Sequence, residues 1–421
     1  MQRHLTRTGT SLITRTPRRS TALRLSLAAS AIVLGLLGPS IAPASASAPK
    51  AKAVAPKASL KVTKKVIKTQ AKAAPEVATT VLTSAGADVT DYLMRAVLKG
   101  YATDPLNTNG DATASIPSLP DAPYTVPADA TCEARTYVVT GTPPTTYTAP
   151  ASAGAGKTAL KDPTNLTNGC IDIARSSSGV AAGEPAGFRY FGFGKDAMTW
   201  AAFAGGKAPA TLTKAQIKGI YDCTYTDWSE VGGKAGHITR YFTQAGSGAG
   251  KIFQTNILDG FDPTTVSSAS CPAVVGYQQS HGDLIPAAER PFAILPYSTG
   301  AWVSQANGVS PNVRGGALAR PITVAGVAQD PIAKPKFGKY APNTAVITGG
   351  FIGAFTLYNI VDTDSVAYAS AVKAIGYDVN NKVTGFKSPL CKGQLVSVLQ
   401  TYGVTPFAAD GNGITCTFAA P

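Results

Sequence analysis

The sequence predicts an α/β fold in which helices flank β-sheets, on three observations. Well-capped helical segments alternate with short β-rich runs, among them Ala197 to Phe203, Phe292 to Leu295 and Thr344 to Ile347. The 421 residues are 44% hydrophobic and only 15% charged, against roughly 25% charged in ordinary globular proteins. Residues 81–421 hold 24 basic and 23 acidic side chains, so this stretch is almost neutral. A disordered polyelectrolyte is excluded, and a body of this length should divide into about two domains, each with its own core.

The formal net charge of +14 belongs to the first 80 residues, which carry 14 basic groups and one acid, Glu76. A basic excess so placed argues against a nucleic-acid partner for the body. Six arginines up to Arg24 precede the apolar run Leu25 to Leu37, which Pro39 breaks; Ala44-Ser45-Ala46 and Ala46-Ser47-Ala48 follow as small-residue cleavage sites. Residues 1–48 thus read as a secretory signal, too short in its apolar part to span a bilayer. Arg18-Arg19 is a weak twin-arginine match, flanked by Pro17 and Ser20. With no cysteine beside the cleavage site, the expectation is a secreted product, extracellular or wall-associated, without a lipid anchor. Residues 49–80 are rich in Ala, Pro and Lys and read as an extended, self-repelling linker, or as a cationic tether to an anionic cell-wall polymer.

Six cysteines in an exported chain point to disulfides, for which 15 connectivities exist. If each lobe closes its own loops, sequential pairing is simplest: Cys132 with Cys170, Cys223 with Cys271, Cys391 with Cys416. No spacing is CxxC, and the histidines are only His4, His237 and His281, so redox catalysis, a three-histidine metal site and a Ser/His/Asp triad all lack their residues. The reading is a non-enzyme without a cofactor.

Three helices are signed by their ends. At 213–222, Thr213 caps, Gln216 completes a capping box, and Leu212 can staple onto Ile217. At 247–258, Ser247 caps, Ile252, Phe253 and Ile257 form the buried stripe, and Gly260 stops the helix. At 388–402, Ser388 caps, Pro389 takes the first helical position and Gly403 terminates.

Four loops of small residues carry the candidate chemistry: Thr83 to Thr90, Ser152 to Gly156, Arg175 to Gly179 and Gln244 to Ala249. Small side chains let backbone N–H groups approach a ligand, and a helix start adds positive potential, so each loop is a candidate oxyanion cradle. The same residues also cap helices for purely structural reasons. Ala151 to Thr158 fits a permissive Walker A pattern, but no convincing strand precedes it and export leads to a space without ATP.

Leu212 to Tyr221, then Thr226-Asp227-Trp228-Ser229-Glu230-Val231-Gly232-Gly233, then Gln244-Ala245-Gly246-Ser247-Gly248, resemble in order the substrate-binding proteins of phosphate ABC transporters. The match is specific over about 40 residues and looser from Val81 to the end, including Ile171 to Ser176 and Phe292 to Tyr297. The resemblance implies a two-lobed type II periplasmic-binding-protein-like fold with a hinge and a central cleft. Lobe I would comprise 81–190 and 306–421, lobe II 191–305, with crossings near Phe191 to Phe193 and Ser304 to Gly308.

It also implies a ligand set: Asp88, Val89, Ser152, Ser177, Thr243, Ser247, Gly248 and Ala249. Three of these depart from the family pattern. Ser177 stands where the family has a carboxylate that accepts the proton of monohydrogen phosphate, Thr243 where it has an arginine, and Ala249 where it has a threonine. Charge-assisted hydrogen bonds are about twice as strong as neutral ones, so their loss weakens anion binding. The implied function is an exported, monomeric receptor for phosphate or another small oxyanion, working with an ABC permease. The alternative is a wall-associated interaction protein on the same scaffold with lost or altered binding.

Overall fold

A single strand organises this molecule. In the computed structural model, which describes residues 80–421 apart from 106, 119–121, 141–145, 163, 165–169, 377–389 and 412, Phe188–Phe203 forms one strand of 16 residues. The expected signal and all but the last residue of the linker lie outside the described residues, as do Ser388 and Pro389. Everything described belongs to one compact unit, Lys72–Pro421.

Among the described residues the principal sheet has eleven strands. They are β1 (Val81–Gly86), β2 (Ala112–Ser115), β3 (Ile173–Ser176), β4 (Phe188–Phe203), β5 (Thr239–Thr243), β6 (Val275–Tyr277), β7 (Ala293–Ser298), β8 (Ala317–Arg320), β9 (Ala354–Asp362), β10 (Thr405–Pro406) and β11 (Thr417–Ala419). Their main order is β6-β5-β7-β4-β9-β3-β1-β2, with β8, β10 and β11 also on β4. At about 3.3 Å per residue β4 is about 50 Å long, enough to serve two half-sheets. Its Phe188 to Ala197 end pairs antiparallel with β9, and its Met198 to Phe203 end with β7 and β8. Parallel pairs lie outward on each side: β1 with β2 and β3, and β5 with β6 and β7.

The two half-sheets make a two-lobed α/β fold joined through β4. The register of β9 on β4 shifts between Leu357 and Tyr358, opposite Gly194 and Gly192, and such a bulge bends the strand. Gly192 has no space for a side chain, because a Cβ there would lie 2.4 Å from Thr417 Oγ1.

Among the described residues the α-helices are α1 (Asp91–Ala102), α2 (Ala153–Leu160), α3 (Lys214–Tyr221), α4 (Gly248–Ile252), α5 (Thr299–Asn307), α6 (Thr344–Thr348), α7 (Tyr368–Ile375) and α8 (Val396–Thr401). In α3 both capping-box hydrogen bonds form, with Gln216 N–H donating to Thr213 Oγ1 at 3.1 Å. Leu212, Ile217, Ile220 and Tyr221 are all buried in the core. Between α3 and β5, Asp227 caps a single 3-10 turn, Trp228–Val231, in a second capping box with Glu230. This turn drives Trp228 wholly inside, where its indole N–H donates to Phe292 O at 3.0 Å and its ring lies 6.4 Å from that of Trp200. The W-S-E-V-G-G signature is therefore an anchor for the lobe.

Three local expectations are corrected. Thr344 to Ile347 is helix α6, not strand: Asn343 accepts from Val346 N–H and starts a turn, overriding the β-branched residues. The helix from Ser247 is α only to Ile252 and continues as a π-turn over Phe253–Ile257. The last helix spans only Val396–Thr401, because the preceding Cys391 to Leu395 turns around Gly393, in the left-handed region, beside the Cys391–Cys416 disulfide. The other two disulfides are Cys132–Cys170 and Cys223–Cys271, so pairing is sequential throughout. Among the described residues no helix is long and apolar enough to cross a membrane.

Candidate functional site

The first small-residue loop is held by a buried cation. Gly86 ends β1 with φ +123°, and a Cβ there would sit 2.3 Å from Arg175 O, so no other residue fits. Arg175, fully buried at the end of β3, donates to Ser115 Oγ at 2.7 Å, Ile116 O at 2.9 Å and Ala87 O at 3.2 Å. Its charge is balanced by Asp91, 3.8 Å away, which also takes a bidentate pair from Arg95. The guanidinium thus fixes the loop and is not available to a ligand.

Asp88 starts the short 3-10 turn that feeds α1, and one of its carboxylate oxygens, Oδ2, is buried without a partner. Burial pushes its pKa up to about 7; His281, the Val89 N–H and Arg175 act in the opposite direction, and Asp91 reinforces the rise.

The other three loops meet one another. Ser152 caps α2, accepting from Ala155 N–H at 3.2 Å. A Cβ on Gly246 would lie 3.0 Å from Ser152 Oγ, and one on Gly248 would lie 2.5 Å from Ser177 Oγ and 2.9 Å from Ala153 Cβ. Ser247 caps α4 by accepting from Gly250 N–H at 2.9 Å and donates to Gln279 Oε1. Thr243, at the end of β5, packs its hydroxyl where a Cβ on Gly250 would be. Ser152, Ser177, Thr243, Ser247 and Gly248 therefore form one cluster of segments in mutual contact. Ala249 instead points into the core and is fully buried.

Asp88 and Val89 line a neighbouring cavity of about 320 Å³, together with Tyr92, Gln279, His281 and Tyr402. Gln279 and His281 were not foreseen. They follow β6, and the run Gln278-Gln279-Ser280-His281, with Ser280 at φ +60°, was the signal: four polar residues in a turn after a strand. Gln279 is 1% exposed and its Nε2 has no partner. His237 has a structural role, stacked on Phe292 with centroids 4.2 Å apart.

Two cations close in sequence to the small-residue loops, Arg240 and Lys157, are consumed elsewhere. Arg240 donates to Tyr221 O at 2.6 Å and to Cys271 and Pro272 carbonyls beside the Cys223–Cys271 disulfide. Lys157 lies within α2 and pairs with Glu184 at 2.6 Å, so the Walker-like run is a helix turn and not a phosphate loop. Among the described residues no group of three His, Cys, Asp or Glu could hold a metal ion.

The chain matches the family model of the PBP superfamily domain over residues 73–341. The chain belongs to the PBP superfamily. Its two half-sheets around β4 are the two lobes of the type II periplasmic-binding-protein-like fold. The chain is similar to a phosphate transporter substrate-binding protein from Clostridium perfringens solved with bound phosphate (15% identity, 70% of this chain and 93% of that one, TM-score 0.46). It is also similar to an ABC-type phosphate transport receptor from Vibrio cholerae (15%, 77% and 99%, TM-score 0.45) and to PstS from Borrelia burgdorferi (10%, 72% and 94%, TM-score 0.37). No curated protein matches. At these TM-scores the assignment to the PBP superfamily rests on the family match.

Proposed function

We propose that the chain is an exported, non-catalytic solute-binding protein that captures phosphate or a similar small oxyanion between its lobes. The observation that carries this reading is the cluster of Ser152, Ser177, Ser247 and Gly248, drawn from three separate segments at two helix starts. Hydroxyls and backbone N–H groups would hold the anion, since Arg175 and Arg240 are spent on carbonyls. The segments touch, so capture requires the lobes to part and close again about the bent strand β4. The lobes would follow the two half-sheets, so the lobe expected to end at 305 would also take β8, Ala317–Arg320, and its first crossing would fall near Ala197 instead of Phe191; an ABC permease would be the partner.

Titration calorimetry of phosphate and sulfate into the full chain tests this. Saturable binding that Ser247→Asp abolishes supports it, because a carboxylate at that position would face the anion. Binding that survives the substitution puts the anion elsewhere.

The buried engagement of Arg240 favours one second reading: a secreted, wall-associated interaction protein that has kept the scaffold and lost the anion. Deleting residues 49–75 tests its tether; wall retention that is unchanged by the deletion excludes it.

A further inference from the structure

A two-stranded hairpin outside the principal sheet presents a bare aromatic tip. Ile332–Lys336 and Lys339–Pro342 pair antiparallel, and the two residues between them, Phe337 and Gly338, have φ +50° and +74°. Positive φ at both central positions marks a type I′ turn, whose first position favours Asn, Asp or Gly, and a bulky residue there is strained. Phe337 is nonetheless 105% exposed, the most exposed large apolar side chain among the described residues. Folding gains nothing from this ring, which buries no surface and sits where Asn would serve the turn better. The rest of the tip is basic: Lys334, Lys336 and Lys339 are exposed, residues 332–342 contain no acid, and Lys336 stands opposite Lys339 in the pairing, where like charges repel. Lys339 Nζ donates to Asn307 O at 3.1 Å, at the end of α5, whereas Lys334 and Lys336 make no ion pair among the described residues. The base, by contrast, is fixed. Asn307 donates from Nδ2 to Tyr340 O at 2.9 Å and accepts from Tyr340 N–H at 2.8 Å, the Tyr340 ring stands edge-on to Trp302 with centroids 5.0 Å apart, and Ile332 is buried.

We propose that this tip docks on an anionic lipid bilayer, with the Phe337 ring at the acyl boundary and Lys334 and Lys336 on headgroup phosphates. Two demands select this partner. The lysines need dense negative charge, and the ring needs an apolar phase just beyond it. A bilayer with anionic headgroups supplies both, one layer above the other, whereas a soluble anionic polymer supplies charge without an apolar phase. One ring and two free lysines make a shallow, reversible contact. No residue of the hairpin lines the cavity beside Asp88 or belongs to the serine cluster, so this docking and oxyanion capture do not depend on each other.

The test uses the full chain and vesicles of phosphatidylcholine with and without phosphatidylglycerol. Trp200, Trp228 and Trp302 are all buried, so Phe337→Trp adds one exposed reporter at the tip. Its emission should move to shorter wavelength on the anionic vesicles and be quenched by brominated acyl chains, and do neither on phosphatidylcholine alone. Phe337→Asn should weaken partition to anionic vesicles about tenfold while melting no lower than the parent, because Asn suits the turn. Lys334→Gln together with Lys336→Gln should weaken it about twentyfold. Residues 1–80 carry their own basic charge, so vesicle binding with the emission of the Phe337→Trp variant unchanged would overturn the proposal. Partition indifferent to Phe337→Asn would do the same. Absence of vesicle binding would also overturn it, and capture by dextran sulfate that needs the lysines but not Phe337 would then assign the tip to an anionic polymer.

Discussion

Asp88 and Asp196 are both buried carboxylates whose pKa values are raised, to about 7 and about 6, first of all by burial, yet their surroundings differ. Asp196 receives Ser298 Oγ at 2.6 Å, Gly300 N–H at 2.7 Å and Ala197 N–H at 2.6 Å, tying β4 to the start of α5. Its replacement by Ala strands those donors, so Asp196→Ala should lower stability by about 3 kcal/mol in denaturant unfolding. Asp88 has an oxygen with no partner, and its folded-state pKa lies above the unfolded value near 3.8. Between those values the folded chain binds the extra proton, so the contribution of Asp88 is favourable at low pH and is lost as pH rises through about 7. Asp88→Asn should therefore melt higher than the parent at about pH 8, with the gap closing near about pH 4. A gap constant with pH would contradict this.

At the scale of elements, what was legible depended on whether the signal was local. Thr213 and Gln216 lie three residues apart and name α3 by themselves, as Asp227 and Glu230 would have named the turn that buries Trp228. Thr344 to Ile347 misled because β-branched propensity was weighed without the Asn343 cap. The length of β4 was not legible either: most of its residues are buried on both faces, so it shows no alternation to mark its ends. The serine loops were legible as small-residue runs, but their convergence was not. Gly248→Ala tests that convergence, since a Cβ there meets Ser177 and Ala153; it should cost about 1–3 kcal/mol by thermal melting. The Cys223–Cys271 bridge closes a loop of 48 residues, and replacing both with Ala should cost about 4 kcal/mol on the chain-entropy view.

For the molecule as a whole, the basic charge sits in residues 1–80 and the body is almost neutral, so the oxyanion proposed above would be held by local dipoles and hydroxyls. The alternation of helices and strands, and the resemblance from Leu212 to Gly248, made the two-lobed architecture readable. The cavity was not readable, because Asp88 and Gln279 are far apart in the chain and no periodicity links them. The arginines nearest the small-residue loops add no charge to the cluster: Arg175 and Arg240 each hold backbone carbonyls around which a lobe is built. Oxyanion capture by an uncharged cluster is thus the central claim, and thermal melting of the full chain in phosphate and in sulfate tests it most directly. At 100 times the dissociation constant a bound ion should add about 2.7 kcal/mol to stability and raise the melting temperature accordingly; no shift with either ion, at any concentration up to that of a saturated buffer, would contradict it.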